Sequence, residues 1–217
     1  MRRSSGFLPS LGLPAGLAGL AALAGLVGCG DDGGSSSTPD ANVVGDGGVD
    51  SAIDSAIDAP PAGTFTLTSP TIMEGGAIPR LNACGQQGGS NLSPQLVFTN
   101  PPAGTLSYAV VFTDLTGTPL VHCAIYDVPG ALTGLPADVD KFYLPPDVVG
   151  AHQTNAYNGM RGYAGPCPPA VHNYQFKVYA LAVDKLAGTS MATTKEQIVA
   201  AVATNLGTAT LTASYTP

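Results

Sequence analysis

Residues 30–62 of this chain cannot contribute to a folded core. They contain no aromatic residue and consist largely of Gly, Ser, Ala, Pro and Asp, the aspartates being Asp31, Asp32, Asp40, Asp46, Asp50, Asp54 and Asp58. Such a segment buries too little apolar area to offset its ordering entropy. The four-residue spacing of the last four aspartates lacks the ligand spacing and turn glycine of an EF-hand. We therefore predict a disordered acidic tether over 29–62 and one folded domain over 63–217.

The first 28 residues have the layout of a secretory signal. Arg2 and Arg3 precede an apolar run from 11 to 27 that is too short and Gly-rich for a transmembrane helix. The run ends in Leu-Val-Gly-Cys, which resembles the lipobox of bacterial lipoproteins. That resemblance implies removal of residues 1–28 and acylation of Cys29, with palmitate among the expected chains. The exported protein would then be anchored in the inner or the outer membrane of a bacterial envelope.

The charge of the domain argues against nucleic acid as a partner. Residues 63–217 hold eight acidic and six basic residues, a net charge of minus two. The bases are scattered and form no stripe that could follow a phosphate backbone: Arg80, Lys141, Arg161, Lys177, Lys185 and Lys195. We expect no nucleic-acid binding.

Short apolar runs between Pro and Gly clusters are typical of a mainly β domain. Residues 107–114 and 120–127 are nearly continuous apolar runs, which predicts central strands covered on both faces. Residues 64–68, 172–181 and 208–215 alternate, which predicts strands with one wetter face. A capping box of Thr193 and Glu196, an apolar stripe and Gly207 predict one helix over about 193–206.

Three polar side chains lie at the ends of these apolar strands: Asp114, His122 and His172. Alternation places His122 on the face of Ala124 and Tyr126. Burying such groups without partners is costly, so each is either separately hydrogen-bonded or part of one pocket. The three could also form a two-histidine, one-carboxylate metal set. No His-x-x-x-His, Cys-pair or Gly-x-Ser-x-Gly spacing supports an enzyme, and we expect no metal, no cofactor and no catalysis.

An ordered set of motifs resembles the phosphatidylethanolamine-binding protein family, and within it the bacterial Raf kinase inhibitor-like proteins. The set is an Asn-x-Ser-Pro turn at 91–94, the Asp-ended strand, the strand histidine, Gly-Tyr-x-Gly-Pro at 162–166 and His-x-Tyr at 172–174. It covers essentially all of 64–217. The resemblance implies a two-sheet, mostly antiparallel β fold with short peripheral helices.

The resemblance also implies a small pocket for a phosphate-like anion or a phospholipid head group. Carried over by position, its lining would be Asp114, His122, Gly165, Pro166, His172 and Tyr174. Imidazole donors and loop amides in a partly desolvated cleft favour such an anion. Two departures weaken the expected ligand set: the family's tryptophan before the strand histidine is missing, which thins the aromatic walls, and Asn173 stands where arginine is common.

Beyond Cys29 the chain has three cysteines, and export makes them oxidisable. The resemblance places Cys84 and Cys167 in loops around the pocket mouth, and we predict a disulfide between them. Cys123 is expected to be a buried, unpaired thiol. A protein-binding inhibitor of protease or kinase type on the same fold is the alternative function, with the loop 136–161 as its surface.

Overall fold

The computed structural model describes residues 63–217. The predicted signal peptide, the predicted lipidation site Cys29 and the predicted tether lie outside the described residues. Within 63–217 the chain forms eight strands, one α-helix and two short 3-10 helices at Arg80–Asn82 and Gly85–Gln87. The strands are β1 (Thr66–Thr68), β2 (Leu96–Thr99), β3 (Ser107–Asp114), β4 (Leu120–Pro129), β5 (Gly134–Leu135), β6 (His152–Gln153), β7 (His172–Leu181) and β8 (Gly207–Tyr215), and helix α1 is Lys195–Ala201.

The strands form two antiparallel sheets, which confirms the predicted fold class. The smaller sheet has the order β1-β2-β5, and the larger has the order β6-β4-β3-β7-β8. All strand pairs in both sheets are antiparallel. Because β3 pairs antiparallel with β7, the last residues of β3 and the first residues of β7 lie side by side at one end of these strands.

The burial of each strand follows its sequence pattern. The continuous apolar run of β3 is buried on both faces, as is most of β4, and both are interior strands of the large sheet. In β7 the alternation is visible, because Tyr174, Phe176 and Val178 are buried while Asn173 is exposed. The inner core joins the two sheets through side chains such as Phe98 and Phe112.

A second apolar cluster lies beneath α1 on the outer face of the large sheet. Ile198 and Val202 are fully buried there against Val111, Ala124 and Tyr126. The helix is shorter than predicted and its capping box lies one residue later, where the Thr194 hydroxyl and the Gln197 side chain exchange bonds with each other's backbone N–H groups. None of the helices within 63–217 is long and apolar enough to cross a membrane.

The predicted C-terminal cap of the helix is wrong for a tertiary reason. Gly207 begins β8, where it pairs with Ala180, and Leu206 donates its N–H to the Ala180 carbonyl. Residues 206 and 207 therefore hydrogen-bond with or pair with β7 instead of ending the helix. Leu206, the last residue of the helix predicted over 193–206, lies outside α1 and is 41% exposed.

Candidate functional site

Asp114 and His172 form a direct pair at the end of the large sheet where β3 ends and β7 begins. Nδ1 of His172 donates to Oδ2 of Asp114 over 2.6 Å, and the Thr116 N–H donates to Oδ1 over 2.9 Å. The Asp114 side chain is largely buried, while that of His172 is 24% exposed. The carboxylate therefore holds one imidazole by its Nδ1 atom and leaves Nε2 directed elsewhere.

A β-bulge in β4 turns His122 toward this pair. Phe112 pairs with Cys123 and Thr113 pairs with Val121, so His122 is the extra residue between them. Its ring packs edge-on against Phe112 at 5.2 Å and Tyr174 at 5.4 Å. The prediction that His122 shares the face of Ala124 and Tyr126 is therefore wrong, because a bulge shifts the alternation by one residue.

The imidazole of His122 is also held by its Nδ1 atom, which donates to the Ala164 carbonyl over 2.9 Å. Burial lowers the pKa of His122, and the bond to Ala164 and the Asp114 carboxylate only partly oppose this effect. Nε2 has no hydrogen-bond partner among the described residues. The side chain as a whole is buried, at 3% exposure.

Two tyrosines complete the cluster. Tyr174 lies between the histidines, with its ring centroid 5.4 Å from His122 and 6.3 Å from His172. Burial raises the pKa of Tyr174 and the Asp114 carboxylate raises it further, so its phenol stays neutral. Tyr157, from the loop after β6, packs on His122 at 4.3 Å. It supplies an aromatic wall to the site, although the missing tryptophan predicts thin aromatic walls.

Tyr157 could not be assigned to the site from its local sequence. It lies in a polar stretch, with Asn155 and Asn158 on either side. The sequence places it only within the loop 136–161, the surface of the alternative protein-binding function. It reaches the site because its N–H donates to the His122 carbonyl over 2.8 Å. This contact joins two segments that no local pattern relates.

Gly165 and Pro166 border the site, but neither offers a free amide to an anion. The Gly165 N–H donates to Oδ1 of Asn91 over 2.7 Å, and Pro166 has no N–H. A Cβ on Gly165 would lie 1.9 Å from the Asn82 carbonyl oxygen, so this position requires glycine. The loop therefore orients His122 through Ala164, and Gly165 and Pro166 supply no amide donor.

The predicted disulfide between Cys84 and Cys167 is present and ties this loop to the 3-10 helices. The Cys84 N–H also donates to the Pro166 carbonyl over 2.9 Å. Cys123 is a free and buried thiol. Burial raises its pKa to about 12, so it is unreactive at neutral pH.

The rim of the site is apolar. Leu115 and Val171, which flank Asp114 and His172 along the chain, and Leu120, which pairs with Asp114 across the sheet, are 38 to 56% exposed. Lys195 of α1 acts electrostatically on His122, and its Nζ is 2.7 Å from Oε1 of Glu196. No group of three or more His, Cys, Asp or Glu within residues 63–217 is arranged to hold a metal.

A separate cavity of about 40 Å³ lies behind Phe112 in the inner core. Its lining includes Cys123, Tyr163 and Phe176, and it includes none of Asp114, His122, His172 and Tyr174. It is therefore distinct from the site.

We expect His122 to make the fold less stable in acid. Its folded pKa lies below the unfolded value of about 6.5, so the unfolded chain binds more protons through that window. Stability then falls as the pH falls and is recovered as the pH rises. The variant His122→Asn keeps a donor for Ala164 and should lose this slope in urea unfolding between roughly pH 7.5 and 5. Equal slopes for both proteins would contradict the prediction.

Comparisons with known proteins agree with this fold. The family model described as phosphatidylethanolamine-binding protein matches residues 68–216. The Escherichia coli protein YbcL is 35% identical over 136 residues, which cover 58% of this chain and 73% of YbcL. Its crystal structure superposes with a TM-score of 0.63 at 30% identity, covering 70% of this chain and 98% of YbcL. The Mycobacterium tuberculosis protein named "Putative lipoprotein LppC" is 31% identical over 175 residues, which cover 78% of this chain and 80% of that protein.

Proposed function

The chain belongs to the phosphatidylethanolamine-binding protein family, and from this premise we propose that its domain binds a small phosphate-like anion or head group without catalysing a reaction. The binding site is the cluster of Asp114, His122, His172 and Tyr174. The observation that carries the proposal is the common orientation of the two imidazoles. Each is held by its Nδ1 atom, to Asp114 or to Ala164, so Nε2 of each remains for a ligand.

The chemistry of the cluster supports binding rather than catalysis. Oriented Nε2 atoms and phenol groups in a partly desolvated site can hydrogen-bond an anionic ligand. A nucleophile would need an activating base within hydrogen-bond reach. Here the carboxylate holds His172, and the nearest thiol, Cys123, is buried with a raised pKa.

The proposed location is the bacterial envelope, with a lipid anchor on Cys29. The LppC relative carries the name of a lipoprotein, which supports envelope association. The tether of residues 29–62 would then let the domain reach ligands at some distance from the anchoring membrane. Mass spectrometry of the protein purified from a bacterial membrane tests this, because an unmodified Cys29 would refute the anchor.

Titration with phosphate and with phosphorylethanolamine tests the binding site. We expect saturable NMR shifts at His122, His172 and Tyr174. The variant His172→Ala should weaken binding at least tenfold, about the effect of losing one charge-assisted hydrogen bond. The matched control is Gln175→Ala on the same strand, whose side chain contacts Thr212 rather than the cluster. Loss of binding in the control, or no loss in His172→Ala, would refute the assignment.

One observation favours the alternative function, a protein-binding inhibitor. Within the loop 136–161, Phe142, Leu144 and Val149 are 59 to 78% exposed, although other parts of the loop pack on the domain. Exposed apolar side chains of this kind occur at protein interaction sites. Inhibition of proteases or kinases that survives His122→Asn and His172→Ala but is lost in Phe142→Ala would support this function.

A further inference from the structure

The fixed orientation of His122 decides what its ligand-facing atom can do. Because a carbonyl oxygen only accepts hydrogen bonds, the bond to Ala164 requires a proton on Nδ1. Burial favours the neutral ring, so Nε2 then carries a lone pair and no proton. At neutral pH the atom that faces a ligand is therefore an acceptor. An anion that also offers only lone pairs would be repelled by it.

The charges around His122 do not offset the repulsion between its Nε2 lone pair and an anion. The ionisable groups that act on it come from β3, β7, the loop after β6 and α1; they are Asp114, His172, Tyr174, Tyr157 and Lys195. Asp114 brings a negative charge into the site. The cation Lys195 is paired with Glu196, and Asn173 brings no charge. A dianion therefore meets one carboxylate and one imidazole lone pair.

We propose that the site selects anions that carry their own acidic proton, namely inorganic phosphate and phosphate monoesters, over sulfate and phosphate diesters. This rests on the proposed function. A monoester monoanion has a P–OH group that donates to Nε2 of His122. Sulfate and diesters have no such proton near neutral pH. In the complex the proton stays on the ligand oxygen and is donated to Nε2, so the complex holds one proton more than the free dianion and the neutral ring.

The preference for monoesters distinguishes the free head group from the lipid-bound head group. Phosphorylethanolamine is a monoester, whereas the same head group within a phospholipid is a diester. The two differ in the proton that Nε2 requires, although both carry the ammonium group. The site should therefore prefer the free monoester to the lipid-bound group.

Calorimetric titration of the full chain tests the proposal. The probes are phosphorylethanolamine against glycerophosphorylethanolamine, and phosphate against sulfate, in two buffers of different ionisation enthalpy. We expect the proton-bearing probe to bind at least tenfold more tightly in each pair, with uptake of about one proton above its second pKa, which for the monoester is about 6. Above that pKa the affinity should fall about tenfold per pH unit.

The variant His122→Asn should bind without this preference, since its amide does not titrate. Equal affinity of both members of each pair in the wild type, without proton uptake, would overturn the selection while leaving anion binding in place. A lack of binding by all four probes would overturn the proposed function, and the selection with it.

Discussion

Replacing Phe112 by alanine is expected to lower the free energy of unfolding by about 4 kcal/mol, as for other buried Phe→Ala changes. The ring is 2% exposed and stacks on Phe176 at 4.3 Å. It also contacts Tyr163 at 5.4 Å and His122 at 5.2 Å. The substitution would enlarge the cavity that already lies behind this ring. Because the ring supports His122, we also expect weaker anion binding under conditions in which the variant remains folded.

Denaturant unfolding followed by circular dichroism measures the loss. The control is Phe142→Ala, since Phe142 is 62% exposed and its truncation should change stability by less than about 0.5 kcal/mol. If the two variants were equally stable, the position of Phe112 in the inner core would be wrong.

Removing the disulfide with Cys84→Ser and Cys167→Ser should have a similar effect. The bridge spans 83 residues, and closing a loop of that size in the unfolded chain accounts for about 4.5 kcal/mol in the chain-entropy model. For a domain of this size, such a loss lowers the Tm by roughly 10 to 15 °C. Because Cys167 follows directly on Pro166, the loop that orients His122 through Ala164 should loosen, and the affinity for phosphate should fall.

Thermal unfolding with and without reductant provides the control. Reductant should lower the Tm of the wild type toward that of the double variant and leave the double variant unchanged. A wild type that is insensitive to reductant, with both thiols alkylated before reduction, would show that the bridge does not form.

The strand pattern could be predicted from the sequence because burial and alternation are local properties. The continuous apolar run of β3 predicted an interior strand, and the alternation of β7 predicted its wetter face. The family motifs named Asp114, His122, His172 and Tyr174, which the antiparallel pairing of β3 with β7 and the bulge in β4 bring together. The helix was correctly located near the C-terminus, although its ends were not.

Other features depend on contacts between distant segments. The bulge at His122 depends on the register of β4 against β3, and alternation alone gave the wrong face. Tyr157 joins the site through a backbone bond to residue 122, and the Gly165 amide is used by Asn91, 74 positions earlier. Gly207 was assigned to a helix cap from its neighbours, but pairing with β7 placed it in a strand.

The amino-acid sequence was sufficient to identify which residues could be buried and which strands would be interior, because these depend on residue type and on spacing along the chain. The side chains of the candidate site were named by the family resemblance. The pairing register and the loop contacts decided which atoms of those side chains are already hydrogen-bonded. Bonds to Ala164 and Asp114 engage Nδ1 of the two histidines and leave Nε2 without a partner among the described residues. These hydrogen-bond partners are remote from the histidines in sequence, and a hydrogen bond depends on distance in space rather than on position in the chain.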